Sequence, residues 1–209
     1  MKKLLGILLG SVLLCAAAHA QQGNLLNGKL EKAEQVCAAV EAGNLLPLNI
    51  NEYYSFNGEA EKQVAVQCVQ AKLRQADNYV NNYNAAVIFA TASAEEGVDY
   101  GVRVTKEEAD QAVNYATKAI AKGNGKDTTV YMYLLRGQTL FEHVVDYSIG
   151  NGETDLKNRA GAVQALADFE KVAEMKSSLA PYGNMAVLAE VLGDEAKMEQ
   201  YQLKGQMGQ

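Results

Sequence analysis

The sequence predicts an all-α chain of antiparallel helical pairs stacked side by side. Three observations carry this. Alanine, leucine, glutamine, lysine and glutamate dominate the chain beyond its first twenty residues, and these are good helix formers. Almost no stretch alternates apolar and polar residues with the period of two that a half-buried strand needs. Instead, apolar positions recur with helical spacing, and one such stripe returns about fifty residues later.

The chain opens with MKKLLGILLGSVLLCAAAHAQQ. Lys2 and Lys3 precede an apolar run from residue 4 to 18, and Ala18, His19 and Ala20 form an A-x-A signal. This is the pattern of a cleaved leader, so Gln21 is expected to begin a mature, exported protein, periplasmic or secreted. The rival is acylation at Cys15, which wants a small residue before the cysteine, and Leu14 is not small. The chain carries 19 basic and 25 acidic residues, a net charge of −6. Losing Lys2 and Lys3 takes it to −8. An acidic chain makes a poor partner for nucleic acid, which needs a basic patch. No later run reaches transmembrane length.

The elements follow in order. A first helix spans about residues 27–41, with Leu30, Ala33, Cys37 and Val40 on one face. Gly43 and Pro47 break it, and Asn57-Gly58 marks a turn. A second helix covers about 59–75, and a third about 77–94. After a glycine-containing linker, Thr105 and Glu108 form a capping box for a fourth helix ending at Gly123. A fifth covers about 128–147 and a sixth about 156–176. Pro181 opens a seventh. Gly193-Asp194 separates it from a last helix ending near 204. This divides the chain into a leader (1–20), an N-terminal helical extension (21–76), repeated helical pairs (77–204) and a frayed tail (205–209).

The repeat lies in the stripes. AVNYATKAI, residues 112–120, and ALADFEKVA, residues 165–173, share apolar offsets 0, 1, 4, 7 and 8, and Lys118 matches Lys171. The helices before them carry small residues at Ala85 and Gly137, and Ala186 continues the series. A small residue facing an apolar stripe lets two helices approach closely. Each pair then leaves a face for the next to cover.

Here the chain resembles the tetratricopeptide repeat family. Tyr182-x2-Met185-Ala186-x2-Ala189 is similar to the family's first-helix pattern, and Tyr133-x2-Arg136-Gly137-x2-Leu140 more loosely so. Ala165-x3-Phe169 matches the second-helix pattern, where the earlier copy has Ala112-x3-Ala116. The resemblance covers about residues 77–204. It departs in period: the family repeats every 34 residues, these units near fifty, and the excess falls in the segments 93–105 and 146–159. The resemblance implies a short helical solenoid whose first helices line a concave groove for peptides or partner helices. By that analogy Tyr79, Asn82 and Phe89 face the groove from the third helix, and Tyr131, Gln138, Phe141 and Glu142 from the fifth, or else half of these aromatics are core.

Chemistry is sparse elsewhere. Glu142, His143 and Asp146 are close in sequence, but Glu142 and His143 point in different directions, and no second histidine completes a metal site. No activated nucleophile, phosphate-binding loop or calcium loop is visible. Neither a cofactor nor a metal is expected. Cys37 and Cys68 are either a disulfide, which an oxidising compartment permits, or two small buried hydrophobes. The expected function is a non-enzymatic scaffold or adaptor that binds a protein or peptide in the bacterial envelope. The alternatives are a self-associating structural protein and an envelope hydrolase or lyase. The oligomeric state is not legible.

Overall fold

A computed structural model describes residues 31–48, 55–94, 102–150 and 153–207. The expected leader and the start of the first helix lie outside these residues. The described residues form eight α-helices: α1 (Glu31–Glu41), α2 (Glu59–Gln75), α3 (Tyr79–Ala90), α4 (Lys106–Lys122), α5 (Thr129–Thr139), α6 (Arg159–Met175), α7 (Tyr182–Leu192) and α8 (Glu195–Met207). The all-α class is therefore met. The last helix runs on to Met207, so most of the expected frayed tail is helical.

The excess length between helices is used for short strand ladders, which the sequence reading missed. In one, β1 (Ser55–Phe56) pairs in parallel with β2 (Ala92–Ala94), and β2 pairs antiparallel with β3 (Val102–Arg103). In the other, β4 (Tyr147–Gly150) and β5 (Glu153–Leu156) form an antiparallel hairpin. Strands of two to four residues are too short to show a period of two, which is why alternation could not reveal them. They shorten the flanking helices. The third ends at Ala90 rather than 94, and the fifth leaves α geometry after Thr139.

From α2 onward, consecutive helices run antiparallel. Tyr79 meets the end of α4, where its hydroxyl bonds Thr128 just beyond at 2.7 Å, while Phe89 stacks on Tyr115. Polar contacts also link every second helix: Lys62 of α2 with Glu108 of α4, Gln138 of α5 with Asn184 of α7, and Glu170 of α6 with Tyr201 of α8. These contacts bring α2 to α4, α5 to α7 and α6 to α8. Helix α1 departs from the alternation. Its residues 32–33 meet Glu61 and its Cys37 meets Cys68, so it runs alongside α2 in the same sense. The long connector between them allows this.

Two apolar clusters form, one over α1–α5 and one over α5–α8. The repeated stripes supply both: Ala112, Ala116 and Ala119 in the first, Ala165, Leu166, Phe169 and Val172 in the second. Helix α5 sends Met132 and Leu135 to one cluster and Val130 and Leu134 to the other. Small residues set the spacing. A Cβ on Gly137 would lie 2.6 Å from the Phe169 ring, and one on Gly123 would lie 2.4 Å from the Tyr79 ring. At Gly123 the backbone is not left-handed, so closeness alone demands glycine there.

Buried polar groups pin the junctions. Lys62 is fully buried, its Nζ 2.5 Å from Glu108 and 3.5 Å from the Phe89 carbonyl that it hydrogen-bonds. Glu108 also closes the capping box, accepting from the Thr105 amide. Arg136 grips Asp168 with two hydrogen bonds, of 2.8 and 2.7 Å, and donates a third to Thr117 on α4. Burial pushes the Glu108 and Glu170 carboxyls up. Their partners, Lys62 and Thr105 for the one and Lys197 and Tyr201 for the other, outweigh this and hold both below the ordinary 4.5.

Three outcomes follow. Gly137→Ala drives a methyl into the Phe169 ring and destabilises by about 1–3 kcal/mol. Gly183→Ala, where an added Cβ meets nothing, stays within about 1 kcal/mol of wild type; urea unfolding compares the two. Glu108→Ala strands the buried Lys62 ammonium and costs about 3–5 kcal/mol, whereas Lys62→Met with Glu108→Leu recovers most of the loss. Because the folded forms of Glu108 and Glu170 release their protons more readily than the unfolded chain, their stabilisation is complete above pH 4.5. It disappears as pH falls through the depressed values. The urea midpoint is expected to hold from pH 7 to 5 and drop below 4.5, with Glu108→Gln flattening that drop.

Candidate functional site

Helices α1, α3 and α5 and the segment after α1 enclose a cavity of about 560 Å³. Its walls are apolar. Val36 and Ala39 come from α1, Leu46, Pro47 and Leu48 from the following turn, Phe56 from β1, Val87, Ile88 and Ala90 from α3, and Leu134 and Leu135 from α5. Polar groups occupy the lining too: Lys32 and Gln35 from α1, Thr91 after α3, and Gln138, Thr139, Glu142 and His143 at the end of α5. Its size falls in the range that natural ligand sites occupy, and apolar walls with a few placed polar groups are their usual composition.

Local sequence explains how each wall is placed. Leu45 to Leu48 is an apolar run interrupted by Pro47, so it cannot continue α1. Asn84, fully buried in α3, holds that turn: its Oδ1 accepts from the Leu46 amide at 2.9 Å and its Nδ2 donates to the Asn44 carbonyl at 2.8 Å. Glu61 fixes the start of α1, where its carboxylate accepts from the amides of Lys32 and Ala33 at 3.0 and 3.4 Å. A carboxylate is well placed at the positive end of a helix. The Lys32 ammonium lies over the Phe56 ring, 5.0 Å from its centre. Burial lowers the Lys32 pKa, and the Glu61 charge partly offsets this.

The mouth is shaped by a change of helix type. After Thr139 the chain widens into a π-turn, Leu140–Val144, closed by the Val145 amide on the Leu140 carbonyl at 2.8 Å. A π-turn is a common way for a helix to end. This one carries Glu142 and His143. Asn184 of α7 donates to Gln138, and Gln138 donates to Glu142, whose other oxygen lies 3.7 Å from the His143 imidazole. A polar chain thus runs from α7 to the cavity mouth.

The seven residues expected on a groove separate into three sets. Gln138 and Glu142 line the cavity. Tyr131 and Phe141 are half-buried against the second cluster, and Tyr131 also has the Lys176 ammonium 5.8 Å from its ring. Tyr79, Asn82 and Phe89 do not face the cavity and are buried. Tyr79 fills the space above Gly123, and Phe89 stacks on Tyr115. Asn82 ties down the start of its own helix, donating to Asp77 at 2.6 Å and to the Asn78 carbonyl at 2.7 Å. Its Oδ1 is buried with no hydrogen-bond partner among the described residues. The reason is that ten of the twelve residues of α3 are buried, so nearly every direction leads into core.

Cys37 and Cys68 are joined, with Cα atoms 5.6 Å apart. The bond staples α1 to α2 across 31 residues of chain. Among the described residues no cluster of histidine, cysteine, aspartate or glutamate has the geometry of a metal site, and no helix is long and apolar enough to cross a membrane. Among the described residues that line the cavity there is no serine or cysteine. Its chemistry is apolar contact with hydrogen bonding at the rim. Comparison with protein-family models, with curated proteins and with solved structures finds no match.

Leu46, Leu48, Phe56 and Val87 were not singled out from the sequence. The apolar run around Pro47, outside any helix, was the signal available: four leucine and proline residues in a connector need a surface to cover. Asn82→Ala removes two hydrogen bonds and is expected to cost about 1–3 kcal/mol in urea unfolding, while leaving any ligand affinity of the cavity within about twofold, since a fold-change of that size is only some tenths of a kcal/mol.

Proposed function

We propose that this chain is an exported scaffold of the bacterial envelope that binds an apolar segment of a protein or peptide. Three tetratricopeptide-like pairs, α3–α4, α5–α6 and α7–α8, form its body, and α1–α2 is an N-terminal extension. One observation carries the reading. The helices α3 and α5, first members of successive pairs, converge with α1 on an apolar cavity with a hydrogen-bonding rim. Such a surface buries a few large apolar side chains and sets the exposed Gln35 beside them to meet a peptide backbone. The pairwise sequence repeat and the linkage of every second helix support the solenoid part of the reading. The leader-like start of the chain supports export.

Panning a library of short random peptides on residues 21–209 tests it. Enriched sequences are expected to carry neighbouring large apolar residues. They should bind at least tenfold more weakly, about 1.4 kcal/mol, to Ala90→Trp, which fills the cavity from the end of α3, in isothermal titration. Tyr79→Phe, remote from the cavity, should bind as wild type. Enriched peptides that bind wild type and Ala90→Trp equally would move the site elsewhere.

A further inference from the structure

We propose that the Cys37–Cys68 disulfide is a redox control on the cavity: the oxidised chain holds the site closed and competent, and a dithiol reductant releases it. This rests on the cavity being the binding site.

The argument begins with how little else holds α1. It has eleven residues, fewer than an isolated helix needs to persist in water. Only Ala33 and Val40 within it are buried. It makes its main helix contact with α2 alone. Yet it contributes Lys32, Gln35, Val36 and Ala39 to the cavity, a whole wall. The disulfide leaves α1 one residue beyond Val36 and ties it to the middle of α2. While the bond is closed, undocking α1 cannot carry it away from α2, so the wall stays in place. With the bond open, the described contacts that hold α1 are the buried Ala33 and Val40, the half-buried Val36 and Ala39 on the first cluster, Lys32 over the Phe56 ring, the Glu61 cap and the Asn84 clamp on the turn that follows.

Access makes the bond addressable. Both cysteines are half-buried rather than enclosed. Partly exposed bonds are the ones that exchange readily. The chemistry is thiol–disulfide exchange. A dithiol donor attacks one sulfur, a mixed disulfide forms, and the donor's second thiol resolves it. Two electrons and two protons pass to Cys37 and Cys68, and the donor leaves as its own disulfide. Polar pairs hold the other junctions: Lys62–Glu108 joins α2 to α4, Arg136–Asp168 joins α5 to α6, and Glu170–Tyr201 joins α6 to α8.

The test uses the full mature chain and the neutral apolar fluorophore N-phenyl-1-naphthylamine. Oxidised protein is expected to bind it with a fluorescence gain that Ala90→Trp abolishes. Protein reduced with dithiothreitol, and Cys37→Ser/Cys68→Ser, should bind at least tenfold more weakly. Hydrogen exchange under the same conditions should quicken in residues 31–48 and stay unchanged in α3–α8. Equal affinity in the oxidised and reduced forms would overturn the redox control while leaving the cavity as a site. Loss of protection throughout α3–α8 on reduction would also overturn it, since the bond would then be a global staple. Fluorophore binding to oxidised protein that is absent or indifferent to Ala90→Trp would remove the site itself, and the control with it.

Discussion

An arginine fork closed on a carboxylate, Arg136 on Asp168, sits where the two halves of this molecule meet. Asp168 is almost completely buried, and Arg136 reaches back to Thr117 as well. One side chain therefore fixes α5 against both α4 and α6. The neighbouring Gly137 lets Phe169 lie directly on the α5 backbone, so the ion pair closes at bonding distance. Two charges out of water are costly unless their hydrogen bonds are met, and here Gln164 completes the set around Asp168. Everything downstream on α5 inherits this placement. The π-turn can bring Glu142 and His143 to the cavity mouth only because the helix before it cannot slide or rotate.

The two ends of the cavity are built differently. The α3 and α5 walls belong to the cores and are fixed by packing and buried charge. The α1 wall is fixed by a covalent bond, a carboxylate at its start and an amide clamp at its end. A rigid surface facing a tethered one is a sensible arrangement for a site that must accept and release an occupant. Stability spreads unevenly in most domains, and binding elements come from the weaker end of that range.

What the sequence revealed follows from locality. The stripes at 112–120 and 165–173, the capping box at Thr105 and Glu108, and the small residues at Ala85, Gly137 and Ala186 are local patterns. The capping box forms as expected, and the small residues and most of each stripe are buried. The period near fifty has a physical source in the short ladders at 92–94, 102–103, 147–150 and 153–156. Tyr79, Asn82 and Phe89 misled because a helix buried on nearly every side has no readable binding face. The α1 wall was invisible for another reason. It depends on α1 running in the same sense as α2, and only contacts between distant residues, such as Glu61 with Lys32, set that direction. The Cys37–Cys68 pairing was likewise open in the sequence, since it needs a distance and not a spacing.

Because α5 feeds Met132 and Leu135 to one cluster and Val130 and Leu134 to the other, its pair is not an interchangeable unit. In regular repeat arrays a middle unit can be lost or duplicated during evolution, since each interface resembles the next. Here the excision of α5 and α6 would remove a helix whose buried residues enter both clusters. The same loss would take away the π-turn and a third of the residues that line the cavity. Length variation in descendants of this chain is therefore expected at its ends and in its two ladder loops, while the number of central helices stays constant.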